Sequence, residues 1–428
     1  MKNILILSVG GSAGPIVNAV KDTRPQPDFV YFFCSTGPNG SCQTIDSPGN
    51  PCGDTRKSKC PECGTEHYIG DPKGKSIVTQ ARLDADHYGV VTVDDPDDLN
   101  ECMQVLKKLG KTIESRHGPD CRIIANYTGG TKTMSLAMGL IGILSEQWDL
   151  SINRGPRIDL IKVRGGDMPV AVEKWRIYAD IQMKAVREAI DDFDYNQAMH
   201  MIGALLSRPL DKKFRDRLMS SHQICRAFDA WDRFDHKKAL ELLEPHSKSQ
   251  HESIILLKRL LGLIEGSGYE QVGDLLNNAE RKAHRKNYDD AVARLYRATE
   301  LFAQIRLELK YQLRSGNIEL GDLRKDLQEE YAPFVGDKGK ILLGLKNDYE
   351  LLFRLDDLLG KLYMEQKSKI ISTLKTRNQS ILAHGLTPLT ESDYHSAHEN
   401  LAGFILKAAH CADIKIKVPQ LPREGIIE

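Results

Sequence analysis

Arg377 and His384 stand seven positions apart in the segment Arg377-Asn378-Gln379-Ser380-Ile381-Leu382-Ala383-His384-Gly385. Seven positions make about two turns of an α-helix, which would set both side chains on one face. Gly385 and Pro388 predict a helix end just after the histidine. His384 would then sit in the last turn, where the helix dipole favours an imidazolium. A guanidinium can bind a phosphodiester and stabilise charge on a phosphorane-like transition state. An imidazole near neutrality can move a proton at a neighbouring hydroxyl or at the leaving oxygen. Asn378 can orient either group. Such a set suits cleavage of RNA by its own 2′-hydroxyl, a route that requires no metal. The competing reading is a surface arginine and a helix-capping histidine.

A second segment, Arg294 to Gln304, carries Arg297, Glu300 and Gln304 at helical i, i+3, i+7 spacing. A polar stripe on an otherwise apolar helix needs partners. Glu300 can support Arg377 by pairing with it, or the stripe can be a solvated or structural ion-pair face.

Near the other end, Asn126-Tyr127-Thr128-Gly129-Gly130-Thr131-Lys132 follows a β-rich run and opens a helix. Glycines let backbone approach a phosphate, and free N–H groups at a helix start attract anions. The glycines stand too close together for an ATPase P-loop. The first loop, with Gly10, Gly11 and Ser12, offers a second cradle at the same sheet edge. Two such loops argue for a nucleotide-like ligand; two tight turns without a ligand are the alternative.

These loops need a sheet to hold them. Apolar runs Asn3–Val9, Phe29–Phe33, Tyr88–Val93, Arg122–Tyr127 and Ile158–Val163 alternate with helical segments, among them Asp97–Leu109. That order predicts an α/β domain with a doubly wound, mostly parallel sheet, binding its ligand at the carboxyl ends of the strands. Beyond about Ala179 strand signals stop, and an all-α half follows. Phe193-Asp194-Tyr195-Asn196-Gln197-Ala198-Met199 resembles Phe234-Asp235-His236-Lys237-Lys238-Ala239-Leu240, with a looser third copy from Tyr288. Each copy reads as a turn between antiparallel helices. The expected domains are 1–178, 179–280 (a helical connector) and 281–428 (a separate bundle).

The Arg-Asn-x5-His segment in helical surroundings resembles the HEPN ribonucleases, whose motif is an arginine, four to six residues and a histidine. The strand–Thr-Gly-Gly-Thr-Lys–helix arrangement resembles the CARF domains of type III CRISPR ancillary proteins. Together the resemblances cover both ends of the chain. They imply a CARF-like sensor and a HEPN-like bundle, in a homodimer that binds cyclic tetra- or hexa-adenylate as activator and cuts single-stranded RNA. Ligand binding would map onto Gly10, Gly11, Ser12, Thr128, Gly129, Gly130, Thr131 and Lys132. Catalysis would map onto Arg377, Asn378 and His384, with Glu300 behind them. The other class of reading is a sensor whose HEPN motif is inactive and which acts by docking a partner. No basic recognition helix points to sequence-specific DNA.

An insert at about 36–70 contains Cys42, Cys52, Cys60-Pro61-Glu62-Cys63-Gly64 and His67. Cys-Pro-x-Cys-Gly turns two thiolates toward one ion, so Cys42, Cys52, Cys60 and Cys63 are expected to hold a structural zinc, with His67 as a substitute. A loop of free thiols is the alternative. The chain has 428 residues, and Lys+Arg and Asp+Glu each total 59. With zero net charge, nucleic-acid contact must be local rather than through the global field. No leader or membrane-spanning run is visible, which predicts a cytoplasmic protein.

Overall fold

The computed structural model describes residues 1–38, 40–47, 57–68, 74–155, 157–159, 162–163, 167–336, 338–382 and 385–427. The chain divides into two compact units, Met1–Ile181 and Gln182–Glu428.

In the first unit, Ile4 to Leu7 are wholly buried because both faces of their strand are covered. Ile4 and Ile6 join a cluster with Leu106, Met138 and Trp148. Leu5 and Leu7 join one with Ile16, Val20 and Phe32. This strand, Asn3–Ser8, pairs in parallel with Phe29–Ser35 on one side and Arg122–Asn126 on the other. Tyr88–Val93 extends the sheet beyond the second strand, and Trp148–Arg154 extends it beyond Arg122–Asn126. Met168–Val172 closes the sixth position, antiparallel to Trp148–Arg154. The strand order reverses between Asn3–Ser8 and Arg122–Asn126, which makes the crevice at their carboxyl ends the switch point of the sheet.

The mostly parallel α/β reading holds, with one strand misplaced. The fifth sheet strand is Trp148–Arg154, not Ile158–Val163. Within 158–163, Arg157–Asp159 and Lys162–Val163 form a separate antiparallel pair, and 160–161 lie outside the described residues. Trp148–Arg154 escapes an apolar pattern because the buried residues Ser151 and Asn153 are polar. The helix predicted from Asp97 to Leu109 runs from Leu99 to His117, with Asp98 accepting from the N–H groups of Asn100 and Glu101.

The second unit is built of helices. Phe193 and Phe234 end their helices at φ +57° and +64°. Asp194 and Asp235, next in line, cap the following helices by accepting from Gln197 and Lys238 N–H. The repeated Phe-Asp pair is thus a stop and a start in succession. The third copy is shifted: Lys286 takes the positive φ, at +60°, and Asn287 the cap position ahead of Tyr288. The core gathers on the long helix Tyr288–Tyr311, with Leu295, Phe302, Tyr349, Tyr363 and Phe404 fully buried or nearly so. Tyr349 and Tyr363 stack at 4.6 Å.

Two features tie distant parts of this unit together. Asp232 accepts from Arg281 Nε at 2.8 Å, from Lys282 Nζ at 2.7 Å and from Arg285 Nη2 at 2.7 Å. The C-terminal segment crosses the early helices: Asn277 donates to the Val418 carbonyl, Tyr195 to that of Pro422 and Ser221 to that of Ile426. Among the described residues, no helix is long and apolar enough to cross a membrane.

Candidate functional site

In the first unit the two glycine loops meet at the switch point. Ser8 Oγ donates to the Gly129 carbonyl at 2.6 Å, and a Cβ on Gly10 would lie 2.9 Å from the Gly130 nitrogen. Thr131 caps the helix Lys132–Leu144, accepting from Met134 N–H at 3.2 Å and donating to the Pro96 carbonyl at 2.7 Å. Beside them opens a cleft of about 360 Å³, lined by Gly10, Gly11, Gly130 and Thr131 and by Ser35, Ser41, Gln43 and Thr44. Ser35 ends the second strand and the other three come from the segment after it, and sequence reasoning missed all four. Their small hydroxyl and amide side chains were obscured by the neighbouring cysteines.

Ser12, Thr128, Gly129 and Lys132 lie outside that lining. Thr128 Oγ1 donates to Asn126 Oδ1 and accepts from Asn153 N–H, so its hydroxyl is occupied inside the fold. Behind it, Asn126 Nδ2 donates to Asn153 Oδ1, and Asn153 and Asn18 donate to Asp167. This network holds the Tyr127–Thr131 loop from below. Lys132 stands exposed at the first residue of its helix.

The cysteines separate. Cys60 and Cys63 share a turn between the paired strands Lys57–Lys59 and Glu66–Tyr68, with Gly64 N–H donating to the Cys60 carbonyl. The Thr65 hydroxyl, 3.2 Å away, holds the Cys63 thiol below the usual thiol range, and Cys60 adds to this. Cys42 is not with them. It packs beside Cys34, whose thiol burial, and then Cys42 itself, push up to about 12. Cys52 lies outside the described residues, and His67 pairs across its hairpin with Ser58. Among the described residues no three His, Cys, Asp or Glu side chains converge as a metal site.

In the second unit, Arg377 lies in the last turn of the helix Leu358–Asn378. The expected helix through His384 is not formed; it ends at Asn378. The carbonyls that would carry it onward are used in a loop: Ser380 O accepts from Gly385 N–H at 3.2 Å and Gln379 O from Thr387 N–H at 3.3 Å. A Cβ on Gly385 would lie 1.8 Å from the Gln379 oxygen, so only glycine fits. The helix that carries Arg377 therefore stops six residues short of His384. His384 itself lies outside the described residues. Asn378 is exposed, and its Oδ1 accepts from Arg377 Nη1 at 3.2 Å.

Glu300 does not pair with Arg377. Its carboxylate accepts from Arg297 Nη1 at 2.6 Å, and Gln304 accepts from the same atom at 2.9 Å. The polar stripe is thus an internal ion pair of its own helix. Arg377 instead lies over the ring of Tyr296, 4.8 Å from its centroid. Burial, and then the Glu300 charge, raise the Tyr296 hydroxyl above its ordinary value. One turn before Arg377, Thr373 Oγ1 accepts from Asn400 Nδ2 at 3.1 Å. There a small polar hollow of about 80 Å³ opens among Ser372, Thr376, Asp393, Ser396 and Asn400.

Two family models match the second unit and the end of the first. Residues 178–260 match the Csm6 6H domain and residues 263–407 the Csm6 HEPN domain. Among solved structures, Enterococcus italicus Csm6 bound to cyclic hexa-2′-fluoro-hexa-dAMP is similar in fold. It has a TM-score of 0.57 and 13% identity over 96% of this chain and 95% of that one. No curated protein matches the chain in sequence.

Proposed function

Because the chain belongs to the Csm6 family of type III CRISPR-associated CARF–HEPN ribonucleases, we propose that it is a cyclic oligoadenylate-activated endoribonuclease of single-stranded RNA. The observation that carries the catalytic half is Arg377, set at a helix end over an aromatic ring with a buried Nε that finds no acceptor among the described residues. In this reading Arg377 binds the scissile phosphate and Asn378 steadies the guanidinium through Nη1. His384 moves the proton. The 2′-hydroxyl attacks the adjacent phosphorus, the 5′-oxygen leaves with a proton, and the ends are a 2′,3′-cyclic phosphate and a 5′-hydroxyl. The nucleophile belongs to the RNA, so the step runs without a catalytic metal.

The cleft beside Gly10 and Gly130 is the proposed seat of the activator. Its glycine backbones suit ribose and phosphate groups. The relative of known structure carries a cyclic hexanucleotide analogue. A ring with rotational symmetry suits a two-fold site made by two copies. Exposed Leu136, Leu144 and Ile177 around an apolar cleft in the first unit support a homodimer, as do exposed Ile381, Leu382 and Leu386 beside Arg377 in the second. Activation is then allosteric, with the ligand binding the cleaving arrangement more tightly than the resting one. We place the protein in the cytoplasm. Cys60 and Cys63, which share a turn, can supply two thiolates to a structural zinc.

The test is RNA cleavage with and without cyclic tetra- and hexa-adenylate, in EDTA. Arg377→Ala and His384→Ala should each abolish cleavage while ligand still binds. Strict dependence on magnesium, or full activity of either variant, would overturn the mechanism.

A further inference from the structure

We propose that Tyr296 is a positioning residue for Arg377: its ring holds the guanidinium by the face and leaves the N–H edge free to receive a phosphate. The inference rests on the reading of Arg377 as the phosphate-binding group. An arginine fixed by a carboxylate has its forked donors engaged and its charge offset. An arginine fixed by a ring face keeps both, because the attraction acts perpendicular to the plane in which its five N–H groups lie. Arg377 shows the second arrangement. Its carbon Cζ is 4.8 Å from the Tyr296 centroid. Among the described residues it donates one hydrogen bond, from Nη1 to Asn378, and its buried Nε has no partner there. A buried donor without a partner is uncommon and marks where an anion's oxygen would be accepted.

The surroundings of Tyr296 keep that arrangement. Glu300, the carboxylate one turn along the same helix, is already bound to Arg297 at 2.6 Å. It is thereby prevented from capturing Arg377. Tyr296 itself packs against the core of the second unit, so the ring is a fixed platform and not a mobile lid. The platform and the arginine come from two helices, Tyr288–Tyr311 and Leu358–Asn378, whose packing sets the angle at which the guanidinium edge is presented.

The experiment is steady-state cleavage of single-stranded RNA by the full chain at saturating activator, with thermal melting of every variant. Tyr296→Phe keeps the ring and should keep kcat within about two-fold, whereas Tyr296→Leu and Tyr296→Met should lower kcat roughly 10- to 100-fold with little change in KM. If Tyr296→Leu melts below the assay temperature, Tyr296→Met decides. Wild-type kcat in the folded Leu or Met variant would overturn the platform, as would a Phe variant as impaired as Leu. Wild-type cleavage by Arg377→Ala would instead overturn the reading of the site on which the platform rests.

Discussion

Ser8 and Gly129 are locked together: Ser8 Oγ donates to the Gly129 carbonyl at 2.6 Å, and a Cβ on Gly129 would lie 2.3 Å from the Ser8 carbonyl oxygen. A methyl group there must push apart the two loops that frame the cleft. Gly129→Ala should therefore destabilise the protein by about 1–3 kcal/mol and weaken binding of cyclic oligoadenylate. Gly11, which lines the same cleft, has nothing within 4 Å of its would-be Cβ. Gly11→Ala should leave the melting temperature within a degree or so of wild type. Calorimetric titration and thermal melts of the two variants check both statements, and equal stability of the pair would contradict the loop packing.

Asp348 is wholly buried, and Oδ1 accepts from Ser315 Oγ at 2.6 Å. Burial, with the nearby Glu300 charge, pushes its carboxyl up to about 7, while Ser315, Gln304 and Arg297 pull the other way. An unfolded aspartate titrates near ~4. The stability carried by the protonated form is therefore complete below that value and lost as pH rises through about 7. Asp348→Asn removes this loss. The variant should match wild type near pH 4 and exceed it at pH 8 by on the order of 2–4 kcal/mol. Denaturant unfolding at the two pH values decides, and a less stable Asn variant at pH 8 would refute the assignment.

Asp232 shows the opposite shift. Burial works against its charge, but Arg281, Lys282 and their hydrogen bonds hold it at about 2. Its contribution is present above the unfolded value and lost as pH falls through about 2. Arg281 is wholly buried, so Asp232→Ala leaves a cation held by Gln420, a neutral acceptor for Nη1 at 2.5 Å, and by the longer 3.7 Å contact to Asp274. The variant should lose about 3–5 kcal/mol at pH 7. The gap from wild type should narrow in acid, which an unfolding series from pH 7 to pH 2 measures.

The parallel sheet was legible because its central strands are buried on both faces and read as unbroken apolar runs, as Ile4 to Leu7 do. Trp148–Arg154 was not, since Ser151 and Asn153 are buried for a hydrogen-bonded network that no periodicity encodes. The Arg377 motif was visible as spacing, but the spacing misled about geometry. Seven positions suggested two helical turns, whereas Gly385 folds against Gln379 to close a loop. Tyr296 stayed hidden because its partner belongs to another helix, and an aromatic at a helical core position has no mark of function. The Glu300 stripe was correctly seen as polar and wrongly paired, because Arg297 is a local competitor one turn away.

The crossing of the C-terminal segment has a consequence for biogenesis. Ser221 finds its acceptor at Ile426, and Tyr195 finds its own at Pro422, some two hundred residues later. While the ribosome has yet to release those carbonyls, the helices that begin the second unit lack partners that only the finished segment supplies. Contacts this remote form late and slowly. The RNA-cutting half thus completes its own packing only after the messenger that encodes it has been read through Ile426.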